Sequence, residues 1–312
     1  GIITKPGTLH ICYCLTPTRY LWSAYNDYFK NPYFKFISKP VVAYLRTWDK
    51  IAAQRPDTYL AISKEVQKRI KKYYNRDSEV VYPPVEFGRG LTHVPRDARS
   101  SSSQNFKSFL RSLSESLPSA KIPNSIGSTF SSLGSDQPAP YFLIVSRLVP
   151  YKRIGLAIKT FNKLKMPLKI IGTGSELRKL KAIAKSNIEF LGYLTQEELV
   201  GYYKGCQALI FPGIEDFGLT ILEAQSFGKP VIAFRGGGAL ETIIDGKTGI
   251  FFNKQTVESL SNAIGQFNNF QPKADPPLAE TIDPKECINQ AQKFNFRDFK
   301  KNFMQKVEEL SK

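Results

Sequence analysis

The sequence predicts an α/β fold built on parallel sheets, in two units of unequal completeness. Three observations carry this. Short apolar runs alternate with amphipathic stretches through residues 141–252. Several of those runs are continuously apolar, the pattern of parallel strands buried on both faces. A shorter set of the same elements lies upstream of residue 87, across a serine-rich stretch. Strands alternating with helices read as βαβ units.

In chain order, His10–Cys14 and Thr58–Ala61 read as strands, and Lys64–Tyr74 as a basic helix beginning at Ser63. Val80–Tyr82 reads as another strand, stopped by Pro83-Pro84, neither of which has an N–H for a ladder. Residues 1–87 therefore form part of an α/β domain. Residues 88–139 are rich in Ser, Pro and Gly, with a serine run at 100–103, and read as an insertion or linker. Residues 140–292 then form a second α/β domain. Its strands are Tyr141–Ser146, Pro167–Ile171, Asn187–Phe190, Gln207–Phe211, Pro230–Phe234 and Gly249–Phe252. Its helices include Ile154–Leu164, Ser175–Lys185, Thr195–Lys204 and Leu219–Phe227, and Thr195 with Glu198 has the spacing of a capping box. Residues 293–312 hold an amphipathic helix, Phe296–Leu310, with Phe299, Phe303, Val307 and Leu310 on one face.

Composition removes several classes. With 312 residues and 42% hydrophobic side chains, the chain can bury real cores and is not a disordered polyampholyte. No apolar run approaches the ~20 residues of a membrane-spanning helix, and no signal-peptide pattern opens the chain. Four cysteines and two histidines have neither zinc-finger nor redox spacing, so no metal site is expected and a reduced, cytoplasmic setting fits. Lys and Arg number 44 against 27 Asp and Glu, a net charge of +17 spread along the chain. Nucleic acid, an anionic membrane surface or a phosphorylated substrate could each want that charge. No nucleic-acid-binding signature accompanies it, so nucleic acid is not expected as a partner.

In an open parallel sheet, ligands bind beyond the carboxyl ends of the strands. Three cations, Arg147, Lys152 and Arg153, follow the strand at 141; Gly172-Thr173-Gly174 follows the next. Glu215-Asp216-Phe217-Gly218 follows the strand at 207, and Gly236–Gly238 the strand at 230. Cations, glycines and helix N-termini on one rim suit a diphosphate. Taken singly, the glycines also read as tight turns and the cations as solvated charges. Glu215 lies in a loop and Glu223 within the following helix, so they reach different parts of one ligand. Carboxylates accept paired hydrogen bonds from neighbouring hydroxyls, which points to a sugar and a ribose; Asp216 reads as a loop cap. A nicotinamide-dependent oxidoreductase is disfavoured, because Leu177 stands where the third glycine belongs.

The run Glu215-Asp-Phe-Gly-Leu-Thr-Ile-Leu-Glu223-Ala resembles the E-x7-E motif of retaining GT-B glycosyltransferases of family GT4. The likeness continues through Ser146-Arg-Leu148, Gly228-Lys-Pro-Val-Ile-Ala233, Gly236-Gly-Gly-Ala-Leu-Glu241 and Val81-Tyr-Pro-Pro84. Cys12-Tyr-Cys-Leu-Thr-Pro-Thr-Arg-Tyr-Leu-Trp22 is similar to bacterial members that use GDP-mannose. The resemblance implies two Rossmann-like domains, the N-terminal one incomplete. It implies mannosyl transfer from GDP-mannose to a glycan or lipid-linked acceptor, with retention of anomeric configuration and no metal. By it, Arg147 and Lys152 grip the diphosphate, Glu215 holds the sugar hydroxyls and Glu223 the ribose. Phe217, Gly218, Leu219 and Thr220, with Asp216, complete the donor pocket. The base lies near Gly172, Thr173, Gly174 and Leu194. Arg19 lines the acceptor side, while His10 reads either as a core residue or as an acceptor contact, and Trp22 as an acceptor-side or a packing residue. Leu15 stands where such proteins often carry His.

Two other readings stay open. The chain could be a nucleotide-sugar-binding module that lacks half its cleft. The helix carrying Lys64, Lys68, Arg69, Lys71 and Lys72 could meet an anionic membrane at the inner face, or present a solvated surface.

Overall fold

The structure is a computed structural model that describes residues 4–5, 7–23, 25–28, 31–85, 140–269 and 282–311. The expected insertion at 88–139 lies outside the described residues.

The first sheet holds β1 (Ile11–Cys14), β2 (Thr58–Ala61) and β3 (Glu79–Val80), parallel and in that order. Between β1 and β2 come a short α1 (Tyr25–Tyr28) and a long α2 (Pro32–Ala52). Between β2 and β3 runs α3 (Lys64–Tyr74). Ser63 caps α3 by accepting from the Val66 N–H, and Asn75 ends it in a left-handed conformation. Val66, Ile70 and Tyr74, four apart, face inward from it. The expected strand at 80–82 is shorter than its apolar pattern. Val81 still donates to the Ala61 carbonyl at 2.9 Å, but the prolines beyond it cannot extend the ladder.

Sequence reading missed α2, and its construction explains why. Pro40 interrupts it, and its apolar stripe (Tyr33, Ile37, Val41, Tyr44, Trp48, Ile51) is exposed rather than buried. Its inward side buries Val42 and also carries a carboxylate. Asp49 accepts from Thr18 at 3.0 Å, from the Trp22 indole at 2.7 Å and from the Tyr74 hydroxyl at 2.9 Å.

The second sheet contains β4 (Tyr141–Val145), β5 (Leu168–Ile171), β6 (Ile188–Gly192), β7 (Cys206–Phe211), β8 (Val231–Phe234) and β9 (Gly249–Phe252). Their spatial order is β6-β5-β4-β7-β8-β9, and every described pairing is parallel. Helices cover both faces: α4 (Ile154–Leu164), α5 (Leu177–Ile183), α6 (Gln196–Gly205), α7 (Leu219–Ser226), α8 (Ala239–Thr242), α9 (Val257–Asn269) and α10 (Pro284–Gln292). The strand period of two sorts the core. Phe142 and Ile144 pack with Ile158, Phe161 and Phe267 on one face, and Leu143 packs with Tyr203, Ile221 and Phe251 on the other. Chain order reverses between β4 and β7, so the crevice at their carboxyl ends is the topological switch point.

The last helix, α11 (Phe296–Leu310), returns to the first sheet. Its Phe299 and Phe303 rings stand 5.9 and 5.8 Å from Tyr13, and Lys306 pairs with Glu79 at 2.7 Å. In exchange, Phe217 and Leu222 from the second sheet's crevice enter the core formed by Cys14, Tyr59, Ile62 and Ile70. The two sheets thus share one buried seam beside the switch point.

Candidate functional site

Four loops frame the crevice, and backbone contact holds them together. A β-carbon on Gly172, whose φ is +131°, would overlap the Ser146 carbonyl, and one on Gly174 would overlap that of Leu148. Leu148 donates to the Thr173 carbonyl at 2.9 Å, closing the loops after β4 and β5 on each other. The Gly172–Gly174 turn therefore serves loop packing first, with Thr173 and Gly174 exposed to solvent. The loops after β7 and β8 interlock likewise. Gly237 sits at φ +63° against the Glu215 carbonyl, which accepts from the Gly238 N–H at 2.9 Å.

On this frame the charges converge. Lys152 leaves a single 3-10 turn (Pro150–Lys152) after β4, and Glu215 lies in the loop after β7, so adjacent strands aim them at each other. Their side chains form an ion pair, each less than a fifth exposed. Between them and the β4 and β7 strand ends lies a small recess lined by Val145, Ser146, Pro212 and Gly213. Arg19, from the loop after β1, completes the group. Its guanidinium lies 3.6 Å from Glu215, 2.5 Å from Asp216 and 4.5 Å over the Tyr151 ring. Arg147, more exposed, donates to the Tyr151 hydroxyl at 2.9 Å. Burial, then Arg19, then Arg147 push the Lys152 ammonium down to about 7, with Asp216 pulling the other way. Cations are thus crowded into a partly dry corner where an added anion would relieve them.

Gly218, at φ +89°, opens α7 with no side-chain cap among the described residues, so the helix N-terminus with its first-turn N–H groups at Leu219 and Thr220 follows directly on the Glu215 loop. Glu223 lies one turn further in and accepts from the Tyr203 hydroxyl at 2.7 Å. Tyr203 is wholly buried, stacked on Phe227 at 5.8 Å; burial, then Glu223, raises its pKa well above the ordinary range, so it remains a donor. Leu194 stands farther along the rim, past β6, partly packed into the second core.

The structure thus brings together Arg147, Lys152, Glu215, Asp216, Gly218, Thr220 and Arg19 of the expected residues. It separates His10, which precedes β1 and so lies one strand length, roughly 13 Å, from the end that carries Arg19. There its N–H donates to Asp57 at 2.7 Å. Trp22 is a packing residue, stacked on Tyr73 at 5.1 Å. Asp216 does not cap its own loop. Its carboxylate accepts from Arg19 and Arg69, and its carbonyl from the Ser63 hydroxyl at 2.5 Å, because two partly buried guanidinium groups outcompete local backbone N–H groups. Arg69 therefore leaves the expected basic face of α3; Lys64, Lys68, Lys71 and Lys72 remain exposed on it.

Sequence reading missed Arg69, Tyr203 and Glu241. Glu241 accepts from the N–H groups of Lys64 and Glu65 at 2.8 and 3.2 Å, capping α3 from the other sheet. The Glu65–Arg69 spacing signals a helix-face pair, which does form at 2.9 Å, but gives no hint of Asp216. Among the described residues, no cluster of three His, Cys, Asp or Glu side chains is disposed to hold a metal ion, and no helix is long and apolar enough to cross a membrane.

The chain is similar to several known proteins. Over 142 residues the chain is 37% identical to the alpha-1,3/1,6-mannosyltransferase ALG2 of Dictyostelium discoideum, covering 43% of this chain and 32% of that protein. Over 161 residues it is 31% identical to the GDP-mannose-dependent alpha-(1-6)-phosphatidylinositol monomannoside mannosyltransferase of Mycolicibacterium smegmatis, covering 46% and 41%. The matches thus span about a third to two fifths of these relatives. Among solved structures, sucrose-phosphate synthase from Thermosynechococcus elongatus superposes with a TM-score of 0.61 at 22% identity, over 85% of this chain and 61% of that one. Anabaena Alr3699/HepE, in complex with UDP and glucose, gives 0.59 at 18%, over 83% and 64%. At these identities the likeness is one of fold: the GT-B arrangement of two Rossmann-like units with parallel sheets. The family described as "Glycosyl transferases group 1" matches residues 126–290, more than half of the sequence, and the chain belongs to it.

Proposed function

We propose that the chain carries the donor site of a retaining hexosyltransferase that moves mannose from GDP-mannose to a glycan or lipid-linked acceptor. The observation that carries the reading is the Lys152–Glu215 pair at the switch point, beside the open N-terminus of α7. A nucleoside diphosphate placed there would exchange the strained crowding of Arg19, Arg147 and Lys152 for two phosphate charges. Those cations and the α7 N–H groups would stabilise the charge that builds on the departing diphosphate. Glu215, released from Lys152, would accept from the sugar hydroxyls, and Glu223 from the ribose. Attack on the face that the diphosphate leaves preserves the anomeric configuration. The leaving phosphate itself takes the acceptor's proton, so no separate base is needed. The cations meet the diphosphate charge directly, and the sequence has no Asp-x-Asp pair, so the reaction is assigned no metal. The names of the two mannosyltransferase relatives favour mannose. A cytoplasmic setting, at the inner membrane face for a lipid-linked acceptor, follows from the same reading.

A second reading takes the chain as a nucleotide-sugar-binding module. On it, the chain binds the nucleotide sugar without transferring it. Calorimetry with GDP, GDP-mannose and UDP-glucose, followed by a mannosyl-transfer assay, separates the two. Turnover eliminates the binding module, and binding without turnover supports it. Glu215→Ala and Lys152→Ala are each expected to lower transfer by about a hundredfold or more with the fold intact. Undiminished transfer by both, or no nucleotide binding by the unaltered chain, would overturn the assignment of this site.

A further inference from the structure

We propose that Asp216 is a positioning residue that ties the Glu215 loop to the first sheet and holds Arg19 beside Glu215 and Lys152. The inference deepens the proposed donor site and rests on that reading for its functional meaning.

The geometry is specific. Arg19 reaches Asp216 Oδ2 through both Nε and Nη2, at 3.1 and 2.5 Å. Arg69 reaches Oδ1 through Nη1 from α3. One guanidinium comes from the loop after β1 and the other from α3, and one carboxylate receives both. All three side chains are 12–14% exposed. The Asp216 carbonyl accepts from the buried Ser63 hydroxyl, which also caps α3. The neighbouring Phe217 ring stacks on Tyr82 at 5.7 Å and meets Phe294 at 5.5 Å. Residue 216 thus joins the loop after β1, the start of α3 and the loop after β7 at one point. Glu215, one residue earlier, pairs with Lys152. With the loop pinned through Asp216, Glu215 has little freedom except at its own side chain. Arg19, pinned by the same carboxylate, stands 3.6 Å from Glu215.

The charges that face Lys152 are Arg19 from the loop after β1, Arg147 from the loop after β4, and Glu215 and Asp216 from the loop after β7, with the Tyr151 ring 5.5 Å away. Asp216→Asn keeps the shape and removes a negative charge, so Lys152 must lose its proton more readily. Arg69→Gln leaves Asp216 less neutralised and must act in the opposite direction.

The test is an NMR titration of the ligand-free full chain labelled at lysine Cε, with Lys152 assigned through Lys152→Arg. Asp216→Asn is expected to move the Lys152 midpoint down by about one pH unit, and Arg69→Gln to move it up. In parallel, GDP affinity is measured against pH, and its alkaline limb should follow each midpoint. A folded Asp216→Asn chain with an unmoved midpoint, or shifts of the same sign in both variants, would overturn the proposal. Should Asp216→Asn fail to fold, the Arg69→Gln shift decides alone. Absence of GDP binding by the unaltered chain would count against the donor site, and the midpoints would still judge the role of Asp216.

Discussion

Tyr203 donates its hydroxyl to Glu223 at 2.7 Å from a position with no solvent exposure, so the second glutamate of the E-x7-E segment is anchored by the neighbouring helix. The ring's stacking on Phe227 leaves the hydroxyl few other directions. Hydrogen bonds to charged groups are worth about 1.5–3 kcal/mol. Tyr203→Phe should therefore lower unfolding free energy by about that amount in a urea titration. It should also weaken nucleotide binding more than turnover, since Glu223 is assigned to the ribose. A variant as stable as the parent and unchanged in affinity would show that the bond does no work.

Lys152 predicts a proton balance. Its ammonium is pushed down to about 7, so in the free chain at pH 8 it is largely neutral. A bound diphosphate favours the charged form, so binding must take up a proton. Calorimetry in two buffers of different ionisation enthalpy should detect this uptake at pH 8, and much less of it at pH 6. Affinity should fall as pH rises above about 7. The stability sign runs the opposite way. An unfolded lysine holds its proton up to about 10.4, so between about 7 and 10 the unfolded state binds more protons. This residue's contribution to stability therefore grows with pH across that window. Lys152→Ala should abolish the proton uptake.

Gly174 and Gly201 should respond oppositely to alanine. At Gly174 the new carbon meets the Leu148 carbonyl, whereas at Gly201, within α6, nothing lies within 4 Å. Gly174→Ala should cost about 1–3 kcal/mol, as overpacking does. Gly201→Ala should add roughly 0.4–1 kcal/mol by restricting the unfolded chain. Melting curves of the two variants check both signs.

Glu241 caps α3 across the seam between the sheets, with two backbone N–H groups as donors. Glu241→Ala should destabilise the chain by about 0.5–2 kcal/mol, the range for loss of a helix cap. Amide exchange at Lys64 and Glu65 should rise more than at Lys71, because the loss acts on the first turn. Uniform exchange along α3 would contradict a cap.

The second sheet was largely legible in the sequence, for a physical reason. A parallel strand buried on both faces must be apolar at every position, as Phe142–Ile144 and Ala208–Phe211 are, and helices between such strands carry period and caps together. That Lys152 and Glu215 lie on one rim was readable too, since both follow strands of the same parallel sheet; that they pair was not. What escaped lacked a local signature. The α2 helix turns its apolar stripe outward and its carboxylate inward, so hydrophobic patterning points to the wrong face. Arg69 finds Asp216 across 147 residues, and nothing within either segment announces the partner. Asp216 itself looked like a turn residue because short acids usually bond their own backbone; here two cations from another sheet outweighed that preference.

The interlocked glycines also limit how this crevice can diverge. The carbonyls of Ser146, Leu148 and Glu215 occupy the volume into which Gly172, Gly174 and Gly237 would grow a side chain. A side chain at any of those three positions therefore destabilises the frame before it can reshape the crevice. Selection for a different donor must act instead through outward-facing neighbours such as Thr173 and Leu219, whose side chains can change size while the walls behind them stay put.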